Sequence, residues 1–479
     1  MILLALILLP TAAAVAAYGL PAWARRVMLL AAAVLHTALV GLLWASPGNE
    51  ALAGWLGDDA LGRVVLTLVS VLFLAVSHYA VGSLRDDDPR GGRAFCSCML
   101  GFLAASTLVT LSRHFALLWI GLETTTLAVA PLIYDRSDRR SLEAVWKYLM
   151  LSSVAIAFAL LGIFLLATAQ PSGAAGGRPL VIDDMLTHAS ALDPMWLRTA
   201  FVFMLIGFGT KMGVAPLHSW KPDTYGEAPS LVGGLMSGAL TSCAFLGLAR
   251  IASICFAAGQ ASFIRPALMG FGLLSLIVAA VFIIGQGDIK RLLAYSSVEH
   301  MGLLALGLGL GGLGAYGAVL HALNNGLAKG MLFLAVGNVV LVTGTSAASK
   351  SRGLLRRVPA SGILLVIGLF AVTGSPPFGM FISEFTILEA AIVEHHPWIA
   401  ALVVMLLAII FVGIAAMILE MVYAPETAGA SPHGGKERRG LVIAPAVLAI
   451  LVLLLGLYLP RPLTHALSSA ATTLGGRGP

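Results

Sequence analysis

An all-α, polytopic membrane protein with about 14 transmembrane helices is the expectation for this chain of 479 residues, and three observations carry it. Hydrophobic residues make up 59% of the chain and charged residues 11%. A soluble domain has roughly 25% charged residues, so this chain has too few polar groups to cover a surface in water. Apolar runs of about twenty residues, the length that crosses a bilayer, follow one another with only short polar breaks. The basic residues sit in alternate breaks and form no contiguous patch, so the net charge of +6 does not point to nucleic acid.

The first run, MILLALILLPTAAAVAAYGL, lacks the basic segment that opens a signal peptide and reads as a first span. Spans follow near 27–47, 61–80, 95–112, 114–134, 145–169, 196–216, 228–256, 267–286, 292–311, 313–343, 360–394, 398–422 and 440–460. Only Ser112, Arg113 and His114 separate the fourth from the fifth. The polar stretches near 170–195 and 423–440 read as loops, and the chain beyond 460 as a tail. Cys96, Cys98, Cys243 and Cys255 lie in or beside apolar runs and read as packing residues, without partners for a zinc or iron–sulfur site.

If the spans alternate, one face collects nineteen basic residues: Arg25, Arg26, Arg85, Arg90, Arg93, Arg136, Arg139, Arg140, Lys147, Lys221, Lys290, Arg291, Lys350, Arg352, Arg356, Arg357, Lys436, Arg438 and Arg439. The other face collects seven: Arg63, Arg113, Arg178, Arg198, Arg265, Arg461 and Arg477. This bias places the first set in the cytoplasm of a bacterial or archaeal cell membrane and both termini on the outer side.

Three basic residues remain. Arg250 is near a helix end and is expected to snorkel to the interface. Lys211 and Lys329 have apolar sequence on both sides, as do the carboxylates Glu123 and Glu384, and His300 and His321 accompany them. A charge facing lipid costs several kcal/mol, so these side chains should face the interior or a hydrated path. Glu123 and Lys211 either form an ion pair that locks helices together or belong to a line of groups that hand on protons.

Two spans are broken. In the seventh, Pro216 and Pro222 follow Lys211, and His218 lies just past the break; in the twelfth, Gly374, Pro376 and Pro377 interrupt an apolar run ahead of Glu384. Proline removes a donor and frees carbonyls at membrane depth, where only protein or water can satisfy them. The breaks lie five spans apart, an odd spacing that suggests an inverted repeat. The organisation read from this is spans one to three over 1–94, a first repeat over 95–256, a second over 267–422, and a last span with a tail over 440–479. No GxxxxGK[ST] loop, dinucleotide-binding GxGxxG or metal-spaced Cys/His cluster is legible, so the energy for moving anything must come from a gradient or from partners.

The segments GFGTKMGVAPLHSWKPDTYGEAPS, DIKRLLAYSSVEHMGLLALG, HALNNGLAKGMLFLAVG and GSPPFGMFISEF resemble the antiporter-like membrane subunits shared by complex I, group 4 membrane-bound hydrogenases and multisubunit cation/proton antiporters. The wording of KPDTYGEAPS and SCAFLGLAR is most similar to the F subunit of hydrogenase-4-type complexes. The resemblance implies fourteen helices with two inverted five-helix units. It pairs Glu123 with Lys211 as a charge-switching couple, sets Lys329 at the centre and Glu384 at the exit, and makes His218 and His300 relay members. Asp288, Lys290 and Arg291 match surface or entrance groups. Ser242 stands where many relatives carry a lysine, and Asn324 with Asn325 where many carry Asn-His, so His321 is the candidate to supply the missing titratable group. The implied function is proton translocation in a redox complex. Iron–sulfur clusters, with nickel–iron as a further candidate, are expected in partner subunits and no cofactor in this chain; the partners are other antiporter-like and quinone- or hydrogenase-like subunits. The alternative is a subunit of a cation/proton antiporter or ion-driven uptake system without redox coupling.

Overall fold

The structure is a computed structural model that describes residues 1–83, 91–134, 138–171, 179–425, 437–476 and 478. Arg85, Arg90, Arg136, Arg178, Lys436 and Arg477, which entered the count of basic residues, lie outside the described residues. The chain is a multi-pass membrane protein: among the described residues, twelve helices are long and apolar enough to cross a bilayer.

The helices are α1 (Ile2–Gly19), α2 (Ala22–Ala45), α3 (Ala60–Ser83), α4 (Gly91–Leu111), α5 (Phe115–Ile133), α6 (Arg139–Thr168), the short α7 (Ile182–Thr187), α8 (Pro194–Met212) and α9 (Trp220–Glu227). A helix from Ser230 follows as α10 (Ser230–Leu235), a π-helical turn over Met236–Leu240 and α11 (Thr241–Ala257). Then come α12 (Ala261–Ile283), α13 (Ile289–Leu310), α14 (Leu313–Thr343), α15 (Leu354–Arg357), α16 (Pro359–Val372), α17 (Gly379–Val393), α18 (Pro397–Tyr423), α19 (Arg439–Leu457) and α20 (Arg461–Thr473). Each apolar run of the sequence lies on one of these helices, with the twelfth run divided between α16 and α17.

Local chemistry explains several boundaries. Asp138 and Ser141 form a capping box at the start of α6, Asp193 precedes Pro194 and caps α8, and Asp288 accepts from the backbone N–H of Lys290 and Arg291 to start α13. The three residues between α4 and α5 are an extended break, where Ser112 bridges to Leu56 and His114 to Val181, and His114 caps α5 by accepting at Nδ1 from Ala116 N at 3.1 Å.

The long α14 is the axis of the molecule. It packs against α13, α16, α17, α19 and α3, and its middle from Gly314 to Val339 is buried on every side. Helix α13 is buried along its length apart from Arg291 near its start. A helix buried all round must satisfy its polar side chains within protein or with water, which is why these two helices carry the chemistry. The outer helices α1, α2, α12 and α18 instead expose large apolar side chains such as Val15, Val34, Val281 and Val412, the pattern of a lipid-facing shell.

Three expectations need correction. The chain beyond 460 is not a free tail: α20 packs on α3 and α14 and buries Leu467, Ala470 and Ala471. Its small and polar residues gave no apolar run to read, yet one face is apolar. Loop 170–195 contains α7, whose Asp183 pairs with Arg113. Arg250 does not snorkel: it is 2% exposed and donates to Asp59 Oδ1 at 2.9 Å, to Thr110 O at 3.1 Å and to Ser112 O. Asp59 also meets Arg113 at 3.0 Å. Burial pushes the Asp59 carboxyl up, but the Arg250 and Arg113 guanidiniums outweigh it and hold the group below the usual carboxylate range.

Candidate functional site

Two helix breaks shape the interior. Helix α8 ends at Met212, and Gly213 follows with φ of 76°, a left-handed conformation that glycine adopts freely. The freed end is closed locally: Trp220 Nε1 donates to Thr210 O at 2.8 Å and Ala215 N to Ser275 Oγ at 2.8 Å. Between α16 and α17, Gly374 has φ of 62°. Pro216, Pro376 and Pro377 lie at the surface of the chain. Each glycine makes a notch for a charged side chain from beyond its break. A β-carbon on Gly213 would come within 2.4 Å of Lys221 Cδ, and one on Gly374 would meet the Glu384 carboxylate at 2.7 Å from Cδ.

Of the two readings of Glu123 on α5 and Lys211 on α8, the locking ion pair is not seen as a direct contact; among the described residues a hydroxyl joins them. Lys211, fully buried, donates from Nζ to Thr126 Oγ1, and Thr126 Oγ1 lies 3.4 Å from Glu123 Oε2. The Lys211 ammonium also sits 5.7 Å from the centroid of the Tyr148 ring, within cation–π range. Thr126 lies three residues beyond Glu123 on the same helical face, so the spacing held a clue that reading only ionisable residues missed.

A second group forms where α13, α14 and α17 meet. His300 Nδ1 and His321 Nε2 are 3.2 Å apart, His321 Nδ1 and Ser383 Oγ 3.0 Å, and Ser383 Oγ donates to Met380 O at 2.9 Å. On the other side His300 Nε2 is 3.4 Å from Ser296 Oγ, which donates to Glu299 Oε2 at 3.2 Å. The line Glu299–Ser296–His300–His321–Ser383 is therefore continuous, with every member buried. Glu384 lies beside the two histidines: one ligand-type atom each of His300, His321 and Glu384 lie within 4.8 Å of one another. Such a trio can hold a metal ion or pass a proton, and the hydrogen bond between the two imidazoles favours the second use.

Helix α14 adds a row with i, i+4 spacing: His321, Asn325 and Lys329. Lys329 Nζ is 3.4 Å from Leu293 O on α13. Asn324 donates to Gly379 O at 2.8 Å, tying α14 to the start of α17. Both side-chain polar atoms of Asn325 are buried without a partner among the described residues, as are Glu384 Oε1, Ser242 Oγ and Ser237 Oγ. Buried polar atoms of this kind are usually satisfied by ordered water. Ser242 belongs to α11, just beyond the π-helical turn; it touches no member of the line by hydrogen bond among the described residues. His218 lies apart, half-buried beside Tyr295 with ring centroids 6.4 Å apart.

One buried charge, Glu299, escaped the sequence reading, and two lysines expected at an exposed face are buried instead. Glu299 was passed over because it adjoins His300 in a stretch read as one helix with a polar lead. Lys221 and Lys290, assigned to the cytoplasmic face by position, are 0% and 1% exposed. Lys221 donates to Ser297 Oγ at 2.9 Å and Lys290 to Ala228 O at 2.8 Å. The chain after α8 turns back into the protein through α9, so a loop by sequence is interior by structure. Asp288 and Arg291 do remain near the surface, with Asp288 capping α13 and Arg291 3.3 Å from Asp223.

Comparison with known proteins gives this geometry its context. Residues 112–410 match the family model described as NADH:quinone oxidoreductase/Mrp antiporter, transmembrane. A hydrogenase-4 component F homolog of Methylacidiphilum infernorum is 33% identical over 376 residues, 78% of each chain. A chain of the membrane-bound sulfane sulfur reductase, an archaeal respiratory membrane complex, superposes with a TM-score of 0.87 over 99% of this chain and 98% of that one, at 23% identity. A chain of respiratory complex I from Thermus thermophilus superposes with a TM-score of 0.77 over 95% and 97%, at 25% identity.

Proposed function

This chain belongs to the NADH:quinone oxidoreductase/Mrp antiporter transmembrane family, and from that membership we propose how an antiporter-like membrane subunit of a multisubunit redox complex moves its ion. A proton enters near the broken seventh span at Lys211, passes to Lys329, His300 and His321, and leaves past Glu384. The observation that carries this reading is the unbroken buried line from Glu299 to Ser383, with Glu384 beside its two histidines. A static scaffold needs no such run of donors and acceptors at membrane depth.

Electron transfer in partner subunits drives the cycle by changing how Glu123 and Lys211 interact. In their link through the Thr126 hydroxyl, the 3.4 Å step from Thr126 to Glu123 is the one that a small shift of α5 against α8 makes and breaks. When the carboxylate moves away, Lys211 loses its stabilising partner and gives up its proton inward. The partners are antiporter-like and quinone- or hydrogenase-like membrane subunits together with peripheral subunits that hold iron–sulfur clusters, with nickel–iron as a candidate centre. The architecture we propose is fourteen spans, α8–α9 and α16–α17 each counting as one, with residues 95–256 and 267–422 as inverted repeats and both termini outside the cytoplasm of a bacterial or archaeal cell. The paired notches at Gly213 and Gly374 support the repeat.

Proton movement by the purified, reconstituted complex during turnover of its electron donor tests this reading. Lys211→Ala and Glu123→Gln should each stop proton movement while subunit composition stays intact. Unchanged proton movement in both variants would refute the route. Proton movement that persists without any electron donor, driven by a sodium gradient, would instead mark an antiporter without redox coupling.

A further inference from the structure

A lysine at the interior end of a broken helix, with no carboxylate beside it, is the largest charge that the route above leaves unused. Lys221 is fully buried on α9, and its Nζ donates to Ser297 Oγ on α13 at 2.9 Å. Among the described residues it makes no ion pair. Its charged neighbours are like charges and titratable rings: the Lys329 ammonium, His300 and His218. Burial of an ammonium with only a hydroxyl for company is costly, so a purely structural role is a poor use of it. A methionine or leucine would fill the same space against Gly213 without that cost.

The surroundings are arranged around this side chain. Gly213 carries no β-carbon where one would stand 2.4 Å from Lys221 Cδ and Cε and 3.0 Å from Nζ, so the stem lies flat against the end of α8. That end is two residues past Lys211. Ser297, which receives the ammonium, is next in the chain to Ser296, which serves both Glu299 and His300. Lys221 thus stands between the Lys211 end of the interior and the group formed by Glu299, His300 and Lys329.

We infer that Lys221 is a proton-holding station that joins Lys211 to the Glu299–His300–Lys329 group, with Gly213 as the notch that admits it. The inference rests on the proton route proposed above. In each cycle an N–H bond of the Lys221 ammonium breaks as water accepts the proton, leaving a neutral amine; a proton arriving by water from the Lys211 side restores the ammonium. Because Lys221 and Lys329 repel when both are charged, filling one favours emptying the other, which gives the transfer a direction once Lys211 discharges.

The reconstituted complex is read for protons moved per turnover, alongside subunit composition, in Lys221→Met, Lys221→Arg and Lys329→Met. Methionine keeps the volume and should lower proton movement about tenfold or more, as loss of a positioned proton-transfer group does. Arginine keeps the charge but holds its proton, so it too should stay slow. Restoration of wild-type movement by arginine would make the charge structural and overturn the inference. Wild-type movement in Lys221→Met with Lys329→Met defective would overturn it while sparing the wider route; wild-type movement in all three would overturn both. If Lys221→Met fails to assemble, Ser297→Ala decides: slowed movement supports the station, and unchanged movement overturns it.

Discussion

Thr126 shows how much one hydroxyl decides at the residue scale. A carboxylate and an ammonium locked in a direct buried pair would resist separation, whereas a shared threonine hydroxyl lets each be held or released by small displacements. Thr126→Val removes the link and keeps the shape. We expect it to cost about 1 kcal/mol of stability, the ordinary net worth of a hydrogen bond, yet to slow proton movement far more than its effect on the melting temperature suggests. The cluster of Asp59, Arg113 and Arg250 behaves in the opposite way, as a fixed clamp between α3, α4 and α11. Asp59→Asn strands the buried Arg250 and should lower stability by about 3–5 kcal/mol, read as a fall in the melting temperature of the complex. Because the Asp59 carboxyl is held below the usual carboxylate range, its contribution is present above the ordinary value and is lost as the pH falls through the folded one. A wild-type melting temperature should therefore drop below about pH 4, and the Asp59→Asn variant should lack that part of the drop. Ionisable residues in apolar sequence were legible: Lys211, Lys329, His300, His321 and Glu384 are all buried. Lys221 and Glu299 were not, because a lysine beside a proline reads as a loop until the chain is seen to turn inward, and Glu299 sits next to His300 just past two serines in a stretch that reads as polar.

At the scale of elements, the two interrupted helices are the working parts. Each break puts a left-handed glycine against a charged side chain that arrives from beyond it, Lys221 at Gly213 and Glu384 at Gly374. Alanine at either glycine brings a left-handed backbone penalty of about 1–2 kcal/mol and a clash with the charged group. Gly374→Ala is expected to displace the Glu384 carboxylate and impair proton exit, measured as slower proton movement with the complex still assembled. The breaks were visible in the sequence as prolines and glycines inside apolar runs. What could not be seen was which side chain fills each notch, since that depends on how the chain folds back after the break. Helix α20 was missed for a related reason. Its residues are small and polar, and only their spacing places Ala466, Leu467, Ala470 and Ala471 on one face. Removing residues 461–479 exposes the surfaces of α3 and α14 that this face covers, and should lower the yield of assembled complex.

For the whole molecule, α13 and α14 form an interior spine whose polar side chains run between two broken helices, inside a shell of apolar ones. Composition alone made the membrane class legible, and periodic apolar runs placed the helices to within a few residues. The course of the buried line was not legible, because Ser296 and Ser383, which link its ends, look ordinary in sequence. His321 is the member without which His300 loses its hydrogen-bonded path to Ser383 and α17. Replacing it by leucine keeps the core apolar and packed, so assembly should survive. The decisive measurement is protons moved per turnover by the reconstituted complex with His321→Leu beside wild type. A collapse of proton movement, with electron transfer in the partners still running, is the expected result. Proton movement equal to wild type would contradict a route through this line.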